Sequence, residues 1–222
     1  MAEQAEATGA IPALTHTRAL QLHILVLQGE PPQSPETADQ LAAMARGTGV
    51  PEHAIVGFAA AAQLLHAQHR AEQARELLVE LEQIPEVRGD PYYGAHLPEL
   101  VRCALALPDP VLAARLTEDT HPRTPLFEHS ICSARVALDE ATDRHTEAAE
   151  GYAQAARLWQ EFGNVPEQAH ALLGQGRCLT ALGDPQADQP LREARALFHQ
   201  MGARPRISEC DTLIARTSKL SS

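Results

Sequence analysis

At 222 residues the chain is long enough for one or two globular domains or for an extended array of repeats. Apolar residues make up 44% and aromatics only 4%, and alanine and leucine fill most long segments, a bias that favours helix over strand. The net charge of −11 argues against nucleic acid as a direct partner, because a phosphate backbone is gripped by clustered Lys and Arg and this surface would mostly repel it.

In chain order, the opening "MAEQAEATGA" has neither a basic nor an apolar leader region, so nothing in it directs export. With Gly9 and Pro12 it reads as the tail of a second helix whose partner would lie upstream, which suggests a fragment of a longer chain. The next helix is expected over 13–29, where "ALQLHILVLQ" (Ala19 to Gln28) is the most apolar stretch. About ten residues fall well short of the roughly 20 needed for a membrane span, so no membrane partner is expected. "GEPPQSPE" is an internal loop, and a helix follows at 36–46. Further helices are expected at 52–68 and 71–84. A more degenerate pair follows, whose first helix ends at "LPDP" (Leu107 to Pro110) and whose second is a short "VLAARLTED". The remaining helices fall at 126–141, 145–162, 166–182, 187–201 and 205–217, with fraying over "TSKLSS".

Proline marks a period. It recurs at 12, 51, 91, 125, 166 and 205, in steps of 39, 40, 34, 41 and 39. Glycine precedes it in "GAIP", "GNVP" and "GARP", with "GTGVP" and "GDP" as variants. Glycine after a last helical turn accepts the left-handed conformation that closes a helix. Proline in the next first turn loses no hydrogen bond, since its N–H would be unpaired there. Shifting by 39 also lays Tyr152 on Leu191, Ala155 on Ala194, Leu158 on Leu197, Trp159 on Phe198, Phe162 on Met201 and Gly163 on Gly202. The units run at about 12–50, 51–90, 91–124, 125–165 and 166–204, with a terminal helix at 205–217, all within a single repeat domain.

Within the second unit, Phe58, Ala61, Ala62 and Leu65 are followed by Ala74, Leu78, Leu81 and Pro85. The fourth gives Ile131, Ala134 and Leu138, then Ala148, Tyr152 and Ala155. The fifth gives Leu172, Gly176, Leu179 and Gly183, then Ala187, Leu191 and Ala194. This alternation of bulky and small residues resembles the tetratricopeptide repeat, with a period longer than that family's 34 residues. "TPLFEHSICSARVAL", "YAQAARLWQEFGNVPEQAHALLGQGRCLTALG" and "LREARALFHQMGARP" are further similar to the C-terminal helical region of bacterial multidomain transcriptional regulators and adenylate cyclases that carry a STAND-type ATPase. The resemblance implies an all-α fold, a right-handed superhelix of about five antiparallel helix hairpins. It also implies a docking or sensor role in a cytoplasmic signalling protein, without catalysis.

No residue pattern names a reaction or a cofactor. Gly174-Gln-Gly176 would have to open a helix after a strand to cradle phosphate, yet it falls inside an expected helix among leucines. His66 and His69 lack a third ligand at metal spacing. His129 and Cys132 share a helical face without an orienting acid or an oxyanion hole. Cys103, Cys132, Cys178 and Cys210 form no CxxC pair and read as reduced, buried thiols. Tyr92 and Tyr93 are either an exposed aromatic pair or a staple between a turn and the core.

In a stacked array the first helix of each unit lines the concave face. The candidate groove residues are therefore Gln63, His66, Arg102, His129, Asp139, His170 and Arg177. The expected partner is a protein, a peptide or other domains of the same chain. A ligand sensor that switches an attached ATPase or nucleotide cyclase, a homo-oligomerising spacer, and an enzyme built on an α-toroid remain open as alternatives.

Overall fold

The computed structural model describes residues 2–85 and 87–220. These form eleven α-helices and two short 3-10 turns, with no strand among the described residues. The helices are α1 (Ala2–Gln28), α2 (Glu36–Gly47), α3 (Pro51–Ala67), α4 (Ala71–Glu82), α5 (Pro91–Ala106) and α6 (Pro110–Thr117). They continue as α7 (Pro125–Ala141), α8 (His145–Phe162), α9 (Val165–Ala181), α10 (Asp188–Met201) and α11 (Arg204–Leu220). The all-helical packing is consistent with an α-solenoid.

The boundaries follow from local chemistry. Pro51, Pro91 and Pro125 each stand at the first position of a helix, and Pro166 and Pro205 at the second. Asp90, Thr124 and Asn164 cap their helices by accepting from the backbone N–H groups of Tyr92 (2.8 Å), Phe127 (3.3 Å) and Glu167 (3.2 Å). Gly163 and Gly202 close α8 and α10 with φ of 85° and 69°. The following N–H groups, of Asn164 and Ala203, reach back to the carbonyls of Trp159 and Phe198 at 3.0 and 2.9 Å, the paired closure of a Schellman turn.

One junction differs from the sequence expectation. α1 is continuous from Ala2 to Gln28 and runs through Gly9 and Pro12 without a stop. A proline removes one backbone hydrogen bond from a helix but does not by itself supply a turn. At the other terminus α11 stays helical to Leu220, so 217–220 of the stretch expected to fray are helical, and Ser221 and Ser222 lie outside the described residues.

The described residues group into two compact units. One is the chain up to Val26 with Glu30–His121, the other Leu27–Gly29 with the chain from Pro122 onward. In the first, α3 packs against α2, α4 and α5, and α5 against α6. Phe58, Ala61, Ala62, Leu65, Ala74, Leu78 and Leu81 are all buried there. Tyr93 is fully buried, and its hydroxyl donates to the carbonyl of Leu116 at 2.6 Å, tying α5 to α6.

In the second unit each helix from α7 to α11 packs on the next, and α9 also meets α7 and α11. Trp159 is fully buried and donates its indole N–H to Ser133 Oγ at 2.7 Å. Small residues set the spacing of helices here. A Cβ added at Gly176 would strike Leu191, and one at Gly174 would strike the ring of Tyr152.

Candidate functional site

The first unit holds an open pocket of about 480 Å³ lined by α1, α3 and α5. Each helix brings one stripe at i, i+4 and i+7, the spacing that keeps side chains on a single face. From α1 come His16, Leu20 and His23; from α3, Val56 and Ala60, with Gln63 one turn on; from α5, Tyr92, His96 and Glu99. The stripes stand in register along the sequence, first 40 and then 36 residues apart.

Polar groups from the three helices meet around the His23–Glu99 pair. His23 Nδ1 lies 2.9 Å from Glu99 Oε1, and His96 Nδ1 lies 3.3 Å from Glu99 Oε2. His23 Nδ1 is also 3.3 Å from Gln63 Oε1. Both neighbours of that nitrogen are acceptors, so it carries the hydrogen and donates. Burial opposes ionisation of Glu99, yet the hydrogen bonds from His23 and His96 offset it and hold the carboxyl well below its ordinary value. The hydrogen bond and charge of Glu99 in turn raise the His23 imidazole above its ordinary 6.5, with the Arg102 guanidinium acting in the opposite sense.

The rest of the wall is apolar and aromatic. Leu20 is 61% exposed and Tyr92 41% exposed. The ring of His16 stands edge-on to those of Tyr92 and buried His53, at 5.5 and 5.7 Å between centroids. The two adjacent tyrosines thus divide the roles weighed from sequence: Tyr93 staples α5 to α6, and Tyr92 faces the pocket. Below the wall, burial pushes the Cys103 thiol up to about 12, which keeps it protonated near neutrality.

A second polar cluster lies within the other unit. Arg177 on α9 donates to both oxygens of Glu140 on α7, at 2.6 and 2.8 Å, and to Glu209 Oε1 on α11 at 3.1 Å. Tyr152 donates its hydroxyl to Glu140 Oε2 at 2.7 Å, and Arg206 donates to Glu209 Oε2 at 2.7 Å. Burial would raise the Glu140 carboxyl, but the Arg177 hydrogen bonds bring it below its ordinary value.

Comparison of the chain with protein-family models, curated proteins and solved structures finds no match.

The candidate groove residues named from sequence are therefore placed by geometry alone. Gln63 hydrogen-bonds the pocket residue His23 and Arg102 acts electrostatically on the same ring, while neither is itself a lining residue of the pocket. His66 is exposed in the last turn of α3. His129 packs edge-on to Trp159 and Phe162, at 5.4 and 5.7 Å. Asp139 pairs with Arg144 at the start of α8, and His170 lies 5.2 Å edge-on from Phe198 on α10. Arg177 is the centre of the Glu140–Glu209 cluster. Sequence reasoning missed His16, His23, His96 and Glu99. His16 and His23 fall within the helix expected at 13–29, but their i, i+7 spacing alone does not single them out from ordinary polar positions, because the partner on α5 is distant in sequence. Among the described residues no group of three or more His, Cys, Asp or Glu side chains is arranged to hold a metal ion.

Proposed function

We propose that the chain is a tetratricopeptide-like array of helical hairpins, winding as a right-handed superhelix, that binds a protein or peptide without catalysis. In this reading it is the docking or sensor region of a bacterial cytoplasmic signalling or transcription regulator, and the partner is a separate polypeptide or another domain of the same chain. The supporting observation is the alignment of His23, Gln63 and Glu99. They come from three alternate helices at near-repeat spacing and meet on one wall. Glu140, Arg177 and Glu209 repeat the arrangement on α7, α9 and α11. Alternate helices that share a face are what a rigid recognition groove requires. No described helix is long and apolar enough to cross a membrane.

The test is selection of linear peptides on the intact chain, followed by calorimetric titration. Leu20→Glu and Tyr92→Ala change exposed wall residues, and each is expected to weaken the selected peptides at least tenfold, about 1.4 kcal/mol. Leu182→Glu, on an exposed residue of the second unit, should leave that binding unchanged. Equal binding by all three variants, or selection that yields no peptide, would overturn the docking reading. The pocket volume of about 480 Å³ favours a ligand-sensing role as the second reading, since it falls in the range of small-molecule sites.

A further inference from the structure

We propose that the pocket among α1, α3 and α5 binds a small organic acid, its apolar body lying against Leu20, Ala60 and Tyr92 and its carboxylate received by the imidazoles of His23 and His96. This inference rests on reading that wall as a binding face, and it adds the chemical class of the ligand.

Charge complementarity selects the acid. Each oxygen of Glu99 already accepts from an imidazole Nδ1, at 2.9 and 3.3 Å, so an ammonium ligand would share a carboxylate whose charge those rings already meet. It would also meet the field of Arg102, which acts on His23 from one turn beyond Glu99. A carboxylate meets the opposite situation. Each ring has committed Nδ1 to Glu99, leaving Nε2 as its second polar atom. In a neutral imidazole that atom can only accept, and a carboxylate has no hydrogen to offer. Once the ring is protonated, Nε2–H donates, and the pair of rings presents two charge-assisted donors. Binding the acid is therefore coupled to proton uptake by the imidazoles.

Among the described residues, few titratable groups neighbour this pair. From α1 there is His16, beside His23. From α3 come the buried His53, which pairs with Glu52 at 3.3 Å, and the uncharged Gln63. From α5 come Tyr92, Arg102 and the protonated thiol of Cys103, besides His96 and Glu99 themselves. Glu99 is the carboxylate in direct contact with the two rings, and its charge is matched by His23 when that ring is protonated. A carboxylate ligand adds a second negative charge to this wall, and that charge favours the protonated form of the ring pair.

The probes are 3-phenylpropionate, its amide and 3-phenylpropylamine, which share a body and differ in head group. Calorimetric titration of the intact chain at pH 6 should show the acid binding at least tenfold more tightly than either analogue. Its affinity should fall toward tenfold per pH unit as pH rises through the imidazole range. The heat should vary with the ionisation enthalpy of the buffer, because protons are taken up. His96→Gln keeps a side chain of similar reach and should flatten the pH dependence. Leu20→Glu, at a residue 61% exposed, should repel the acid without disturbing the core. An amide or amine that binds as well as the acid overturns the proposal, as does an acid affinity flat between pH 6 and 8. Peptide binding with no acid binding would sink this inference and leave the docking reading standing. Acid binding with no peptide selected would do the reverse.

Discussion

Gly174 and Gly176 lie in the interior of α9, where their missing side chains decide how closely neighbouring helices approach. A Cβ at position 176 would collide with Leu191, which is fully buried and has no open space to swing into. Replacing glycine by alanine in a helix otherwise gains about 1 kcal/mol of propensity, while overpacking a closed core costs about 1–3 kcal/mol. Gly176→Ala is therefore expected to destabilise by up to about 2 kcal/mol, read as a lower urea midpoint at constant slope. Gly47, at the end of α2, supplies the contrast. Nothing lies within 4 Å of a Cβ added there, so Gly47→Ala should be neutral or stabilising by up to about 1 kcal/mol. A Gly176→Ala protein as stable as the parent would show that Leu191 repacks freely.

At the scale of elements, α5 and α6 are joined by a buried bond rather than by a long apolar seam, since α6 spans only eight residues. The Tyr93 hydroxyl satisfies the carbonyl of Leu116, whose side chain is fully buried. Tyr93→Phe keeps the ring and orphans that carbonyl, at a cost of about 1–3 kcal/mol. Thermal melting followed by circular dichroism should show a loss of several degrees, and an unchanged melting temperature would mean that water satisfies the carbonyl equally well.

The same scale explains what could be read ahead of the structure. Helix starts at Pro51, Pro91 and Pro125 and stops at Gly163 and Gly202 were legible, because capping chemistry acts over four or five residues. The buried face of Phe58, Ala61, Ala62 and Leu65 was legible for a similar reason: helical periodicity is local. The contact between His23 and Glu99 joins residues 76 positions apart, and depends on how α1, α3 and α5 stack. No local rule encodes that meeting. Gln63 and Arg102 were found by counting which helix is first in each unit. Glu99 and His96 stand on that same helix, but no motif distinguishes them from ordinary surface polar residues.

For the molecule as a whole, pH acts differently on the two units. Glu99 and Glu140 both lie below the ordinary 4.5 when folded. The stability they add is complete above that value and is lost as pH falls through their folded values. His23 is raised above 6.5, so its contribution is complete below 6.5 and is lost as pH rises through its folded value. The first unit should therefore be most stable between about pH 4.5 and 6.5, whereas the Glu140–Arg177 cluster of the second is weakened only toward acid. Native-state hydrogen exchange at pH 6 and 8.5, corrected for intrinsic rates, should show amides of α3 and α5 losing protection relative to those of α8 and α9. His23→Asn should remove that difference, and a loss shared equally by both units would contradict it.

The lone tryptophan, Trp159, belongs to the second unit, sealed from solvent and bounded by His129, Phe162 and the Ser133 hydroxyl. The first unit contains no indole at all. Tryptophan emission is thus a private channel to one half of the chain, while far-UV ellipticity sums over both. Recorded together on the unmodified protein, the two signals distinguish a concerted transition from two separate ones without any added label.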